Sequence, residues 1–410
     1  MKFHRAWVIL FGCCLLQIPT GMYVNCRSIF LLPVSEALCL SLGDLSTSQL
    51  IAGVVSIVSL PLAGYLFLRI DSRVLLGGAV ISQVLSVAIV SQANSIFPFY
   101  ISGVLDGITT SFLRVYPIPL ILGNWFSKKS GFAIGISSAF SGIFGMIGNP
   151  LINSIILFHG WRAAYLFLSI MMLLILLPVS VLLIRFHPGD VGLSPYGADK
   201  AISSHSAGIK KRRSMRVVVH MPPFWLLILG VFVISLLVSF SSYMSPIGVF
   251  AGYSATIGAW MASCCMAGNM FFKILTGWLY DRFGLNRSMR ICLSAMLIGS
   301  GLLLVDSITA RLIASFLFGS SMSFNMAFVP IIIRDIFGNH GYSTLLSYSS
   351  MTTTMGNALS NVLLGKLIDT LGQAAAFPVM LYSALLLAFT GSCLVLISTS
   401  LARLRLNVIP

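Results

Sequence analysis

Apolar runs of about 20 residues recur along almost the whole chain, each long enough to cross the roughly 30 Å hydrocarbon core of a bilayer as a helix. In hydrocarbon, backbone N–H and C=O groups find no water, so a spanning segment must be a helix or a strand of a closed barrel. The runs are continuous and lack the two-residue alternation of barrel strands, which leaves the helix. Composition agrees: 57% of the 410 residues are hydrophobic and 9% charged, against about a quarter charged in soluble domains. That excludes an ordinary soluble enzyme, a disordered chain and a secreted disulfide scaffold. The expected class is an all-α membrane protein.

Hydropathy places twelve transmembrane helices at 7–33, 47–68, 73–93, 96–122, 130–158, 162–185, 223–249, 254–279, 289–306, 308–331, 343–366 and 374–400. The first run continues past Ile29 without a cleavage signature and reads as a retained helix, not a secretory signal. The long polar stretch divides the chain into a six-helix bundle over 1–185, a basic cytoplasmic linker over 186–221 and a second six-helix bundle over 222–410.

Orientation follows from the basic residues. With the N-terminus inside, nineteen of the 25 Lys and Arg fall in inner loops and two, Arg162 and Arg311, in outer loops. Positive charge gathers on the cytoplasmic side, so both termini are expected inside, in a multi-pass cell membrane protein such as one of the bacterial inner membrane. The IKKRRSMR run of the linker reads as a cytoplasmic charge anchor, with an anionic-lipid contact or a localisation signal as the functional alternatives. The net charge of +15 is spread between apolar runs, so no nucleic-acid partner is expected. The eight cysteines form no CxxC pair and lie mostly in apolar stretches; no metal and no cofactor is expected.

The two halves repeat each other. Gly64 opens GYLFLRIDSR and Gly277 opens GWLYDRFGLNR, 213 residues on; Gly160 opens GWRAAYLF and Gly372 opens GQAAAFPV, 212 residues on. Two pairs at one offset point to pseudo-symmetric six-helix bundles related by an axis along the membrane normal. Such halves place a substrate site between them near the bilayer midplane, the architecture of a transporter.

Ionisable residues inside spans are costly and are functional candidates by default. Arg27, Asp106, Arg114 and Lys273 qualify; Lys366 lies at a helix end and is expected to snorkel. At about 1.5 Å per residue, Arg27 and Asp106 lie about 9 and 6 Å to the outer side of their span centres. Arg114 and Lys273 lie about 7 and 9 Å to the cytoplasmic side. Arg27 and Asp106 are therefore at pairing depth, with a structural pair and substrate gating both open for Arg27. Asp106 and Arg114 are about 12 Å apart along one helix, beyond a direct bridge. That leaves Arg114 and Lys273 in opposite halves with no internal acid, an arrangement a bound carboxylate would neutralise. The structural alternatives are a snorkelling Lys273 and an Arg114 bonded to helix carbonyls. As the lone mid-span carboxylate, Asp106 is the side-chain candidate for proton coupling.

Further polar residues are placed to line a cavity: Gln17, Asn25, Tyr243, Asn325, Tyr348, Asn357 and Asn361. The small residues Ser141, Gly142, Gly145 and Gly148 are expected to permit close helix packing, and Pro150 to kink its helix.

GWLYDRFG resembles the loop motif of the major facilitator superfamily, with Asp and Arg four and five residues after the first Gly. NWFSKKSGFAIGISSAFSG, NPLINSIILFHGWRAAY and HPGDVGLSPYG are similar to its oxalate/formate antiporter and monocarboxylate-porter branch. The resemblance implies alternating access driven by a gradient. It assigns Gly277, Asp281, Arg282 and Gly284 to a conformational latch; the N-terminal copy has Leu68 in place of the Asp. It also implies a basic residue eight positions before the motif Asp that contacts a substrate carboxylate, where this chain has Lys273. The oxalate carrier has a further Lys in helix eleven, where this chain reads LLSYSSMTTTMGNALSN, so a monoanion is favoured over a dicarboxylate.

The expected function is secondary active transport of a small organic anion, a monocarboxylate first, by proton symport or anion exchange, in a monomer held by the lipid bilayer. The alternative is a broad-specificity drug or metabolite efflux pump of the same superfamily. An enzyme is not expected: no phosphate-cradling loop, zinc spacing or acid-base cluster is present.

Overall fold

The computed structural model describes residues 4–67, 69–115, 117–126, 130–197, 221–337 and 342–408. The basic run at 209–216 lies outside them. The chain divides into two compact units, Met1–Ala207 and Gly208–Pro410. Both are helical, and among the described residues the one β pairing is an isolated bridge between Phe126 and Tyr196.

In the first unit α1 (Arg5–Asn25) and α2 (Arg27–Leu38) are separated by a single residue, Cys26. Then come α3 (Leu42–Leu66), α4 (Ser72–Ser91) and α5 (Phe97–Thr109). A π-helical segment, Thr110–Val115, joins α5 to α6 (Pro117–Trp125), and α7 (Ser130–Pro178) closes the unit in a second π segment, Val179–Leu183. The indole of Trp125 donates to the Arg185 carbonyl at 2.8 Å, tying the ends of α6 and α7. In the second unit α8 (Pro222–Val238) passes through a 3-10 turn, Ser239–Tyr243, into α9 (Met244–Phe250). It continues with α10 (Ala255–Leu302) and α11 (Ile308–Ser323). After a π segment, Phe324–Phe328, come the short α12 (Val329–Ile332), a further π turn (Ile333–Phe337) and α13 (Tyr342–Val408).

Among the described residues six helices are long and apolar enough to cross a membrane. Two of them, Ala133–Leu183 and Tyr348–Arg403, run for 51 and 56 residues. Straight, they would reach about 77 and 84 Å, more than twice the hydrocarbon core. Each is bent back at a glycine instead: Gly160 (φ 81°) in α7 and Gly372 (φ 75°) in α13, with Gly284 (φ 71°) doing the same in α10. With ψ between 161° and 175°, all three occupy a region open essentially to glycine alone. The repeated glycines at 160 and 372 are thus the same bend made twice. The Asp281–Arg282 pair, expected in a loop, sits on helical backbone up to that single break at Gly284. Pro150 leaves no such break, since α7 departs from helical φ/ψ at Gly160 only. Arg311, expected in an outer loop, is buried in the first turn of α11 between the rings of Tyr253 and Phe377, 5.0 and 5.5 Å from its guanidinium.

Small residues let the helices close up, because lipid offers no hydrophobic drive and backbone proximity replaces it. A Cβ on Gly21 would come within 2.7 Å of the Ser141 Cα, and one on Gly145 within 2.6 Å of the Asn25 Cβ, so the close packing expected of SGIFGMIGNP is made against α1. In the second unit the tightest approach is α10 on α11, where a Cβ on Gly268 would stand 1.8 Å from the Phe316 carbonyl oxygen. Gly268→Ala is expected to destabilise the purified protein by at least about 2 kcal/mol, an overpacking cost, visible as a lower Tm and reduced monodisperse yield in detergent. Gly78→Ala, where nothing lies within 4 Å, is expected to leave both unchanged.

Candidate functional site

Asp106 lies on α5 between two glycines that bring this helix against α3. A Cβ on Gly103 would meet the Ser48 carbonyl oxygen at 2.5 Å, and one on Gly107 the Ala52 carbonyl oxygen at 2.6 Å. The carboxylate is 4% exposed. A charge at that depth is tolerated only with partners.

It has two. Arg27, the first residue of α2 after the Cys26 break, donates from Nη2 to Asp106 Oδ2 at 2.5 Å, and its guanidinium lies 4.7 Å from the Tyr23 ring centre. Arg114 Nη2 donates to Asp106 Oδ1 at 2.7 Å, to the Thr110 hydroxyl and, at 3.4 Å, to the Asp106 carbonyl. The Arg27–Asp106 pair matches the depths read from the sequence. The Arg114 bond corrects the expectation that this cation has no internal acid.

The physical reason is the π segment. At about 100° per residue, a position eight residues on in an α-helix faces about 80° away. The wider turn of Thr110–Val115 advances each residue less in angle and along the axis, which returns Arg114 to the Asp106 face. Side chains also lean toward the helix N-terminus, and a long Arg spans the remaining gap.

Two guanidiniums share one carboxylate, so the cluster holds one positive charge in excess. It borders a small, partly open cavity. Tyr23, Arg27, Gln49, Ser102, Asp106 and Tyr165 are among its lining residues, with Tyr165 stacked on Phe30 at 4.0 Å. Arg27 keeps 22% of its side chain exposed and Arg114 14%. Among the described residues the Arg114 Nε has no hydrogen-bond partner. Tyr23, Gln49 and Tyr165 escape a sequence reading because uncharged polar residues are frequent in these spans and only the fold shows which face a cavity.

In the second unit Lys273 is half-buried on α10, and no ion pair or hydrogen bond reaches it among the described residues. One turn earlier Asn269 is 5% exposed and its Oδ1 has no partner. The other expected site residues mostly join helices. The buried Tyr243 hydroxyl donates to the Asn361 carbonyl at 2.9 Å, and Ser239 Oγ donates to the Asn357 carbonyl at 2.9 Å. Asn325, on the π segment after α11, donates to Ser235 Oγ at 2.9 Å and leaves its Oδ1 without a partner. Tyr348 is exposed. In the first unit Asn25 donates to the Ser141 carbonyl at 2.9 Å, between α1 and α7.

In the Gly277–Gly284 motif nothing crowds Gly277, Gly284 makes the bend, and Arg282 rests on the rings of Trp278 and Phe283, 5.4 and 5.6 Å away. The side chain of Asp281 lies outside the described set. The neighbouring Tyr280 hydroxyl donates to Asp335 at 3.3 Å.

Comparison with known proteins gives this geometry a family. The model of the Major Facilitator Superfamily matches residues 13–305 and 251–405. Monocarboxylate transporter 12 of Rattus norvegicus is 26% identical over 419 residues, covering 93% of this chain and 85% of its own. The oxalate:formate antiporter of Oxalobacter formigenes is 26% identical over 301 residues, covering 70% and 65%. Two solved structures share the fold. One is a bacterial homolog of the human lysosomal transporter Spinster, inward-facing and occupied, with a TM-score of 0.67 at 16% identity over 98% of this chain and 97% of that one. The other is the nucleoside transporter NupG, with a TM-score of 0.68 at 10% identity over 96% and 99%. The chain belongs to the Major Facilitator Superfamily, as a multi-pass membrane transporter of a small molecule and not an enzyme.

Proposed function

We propose that this transporter carries a small organic anion with one carboxylate, by proton symport or anion exchange, through alternating access. One observation carries the reading: a single aspartate is shared by two arginines inside the membrane, beside a cavity that Arg27 lines. The surplus positive charge is expensive in a low-dielectric medium unless a ligand supplies the missing negative charge. A carboxylate can take two parallel hydrogen bonds from a guanidinium, and an arginine stays charged at any working pH. Lys273, half-buried without a partner among the described residues, is the third cation in the proposal. The names of relatives, monocarboxylate transporter 12 and the oxalate:formate antiporter, support the same substrate class.

Asp106 is the coupling group in this reading. Both its oxygens hold a guanidinium, so a proton would have to displace one of them, which links proton entry to the state of the arginines. Asp281 and Arg282, with the bend at Gly284, form the proposed latch. Twelve crossings, both termini in the cytoplasm and a monomer in a bacterial inner membrane complete the proposal; the basic bias of the expected inner loops supports the orientation.

Counterflow in proteoliposomes with a panel of radiolabelled acids tests it. The wild type is expected to exchange monocarboxylates, and Lys273→Gln to raise the half-saturating concentration roughly tenfold or more, the worth of one charge-assisted hydrogen bond. Undiminished exchange in both Lys273→Gln and Arg27→Gln would remove the site, and uptake of lipophilic cations alone would favour the efflux alternative.

Charge arithmetic within the cluster gives a second test. Arg114→Gln leaves a neutral Arg27–Asp106 pair, so thermal stability is expected to hold while anion affinity falls roughly tenfold. Asp106→Asn leaves two unopposed cations and is expected to cost about 3–5 kcal/mol of stability, read as a large drop in Tm. Equal Tm values for the two variants would contradict the charge assignment.

A further inference from the structure

Gln83 is fully buried at the middle of α4, and among the described residues neither its Oε1 nor its Nε2 makes a hydrogen bond of good geometry. A buried amide left in this state is costly, and few are seen without a reason. The neighbouring seam shows where it points. Ser82 Oγ donates to the Leu105 carbonyl at 3.3 Å, Ser86 Oγ lies 2.8 Å from Ser102 Oγ, and Thr109 Oγ1 donates to the Ala79 carbonyl at 3.4 Å. These bonds set the 79–86 face of α4 against the 102–109 face of α5, with Gln83 across from Asp106. The amide lies beside the Asp106 carboxylate without a well-formed hydrogen bond to it.

An ionised carboxylate offers about four acceptor positions. Here each oxygen holds one guanidinium. Under the functional reading above, on which this inference rests, an arginine turns from Asp106 to the incoming anion. The oxygen it leaves would then be bare in a medium that cannot solvate it. We propose that Gln83 is a standby donor: its Nε2–H₂ group takes the vacated Asp106 oxygen when a guanidinium moves to the substrate. Gln83 touches neither substrate nor cavity in this scheme; it is a positioning residue that keeps Asp106 ionised and oriented through the step. An amide beside Asp106 without a well-formed bond in the present state is what a device waiting for the other state looks like.

A stability cycle on the full-length protein in detergent tests the proposal independently of transport. Gln83→Leu in the wild-type background is expected to hold or raise Tm, because it removes two unpartnered polar atoms from the interior. In the Arg114→Gln background, where one Asp106 oxygen is already vacated, the same substitution is expected to lower Tm. Gln83→Met repeats the cycle with a side chain of similar length, in case Leu packs badly. In proteoliposomes, Gln83→Leu is expected to raise the half-saturating concentration for radiolabelled formate or lactate roughly tenfold. The same Tm change in both backgrounds would overturn the proposal, as would an unaltered half-saturation in Gln83→Leu and Gln83→Met. Should the wild type exchange no anion while the cycle still shows coupling, the functional reading fails and the donor role stands.

Discussion

A peptide group in hydrocarbon has no water to turn to, and this governs every departure from regular helix in the molecule. Within its three longest helices the chain bends back at a glycine of positive φ, at 160, 284 and 372. In four further segments one turn widens without leaving the helix, so that carbonyls still find donors. The π segments Thr110–Val115 and Phe324–Phe328 begin 214 residues apart, close to the 212 and 213 separating the repeated sequence motifs. Both carry a polar side chain to a neighbour: Arg114 to Asp106, and Asn325 to Ser235. The repeat therefore extends from the bends to an irregularity of the backbone itself.

The same scarcity of solvation explains the charge cluster. An isolated guanidinium in a span is expensive, a pair with a carboxylate less so, and two guanidiniums on one carboxylate return part of the expense. In the proposed reading, that residue of positive charge beside a lined cavity is what makes the cluster receptive to an anion. Glycines at 103 and 107 hold the arrangement in place by pressing α5 to within backbone contact of α3.

Legibility in the sequence varied with the length scale involved. Arg27 and Asp106 were paired by depth alone, since both sit a few ångströms from their span centres on one side. That SGIFGMIGNP packs closely on a neighbour was readable, because small residues at helical spacing have few other uses in lipid, while the fold alone shows the neighbour to be α1. Arg114 was misjudged because a uniform 100° per residue points it away from Asp106, and no composition signal marks a π turn. Arg311 was counted with an outer loop although the expected span 308–331 already contains it; its burial between Tyr253 and Phe377 shows only in the packing. Gln83 drew no notice as one amide in an apolar run, and only the packing of α4 on α5 gives it meaning.

By itself, then, the order of residues determined the membrane class, the helical content, the two-fold repeat and the set of buried charges, since each depends on composition or spacing over tens of residues. The tertiary structure alone decided which of those charges meet, that Asp106 serves two arginines and that Lys273 has no partner within the described residues. Hydrogen bonds need angular phase and sub-ångström register. One widened turn changes both while leaving the hydropathy of the segment untouched.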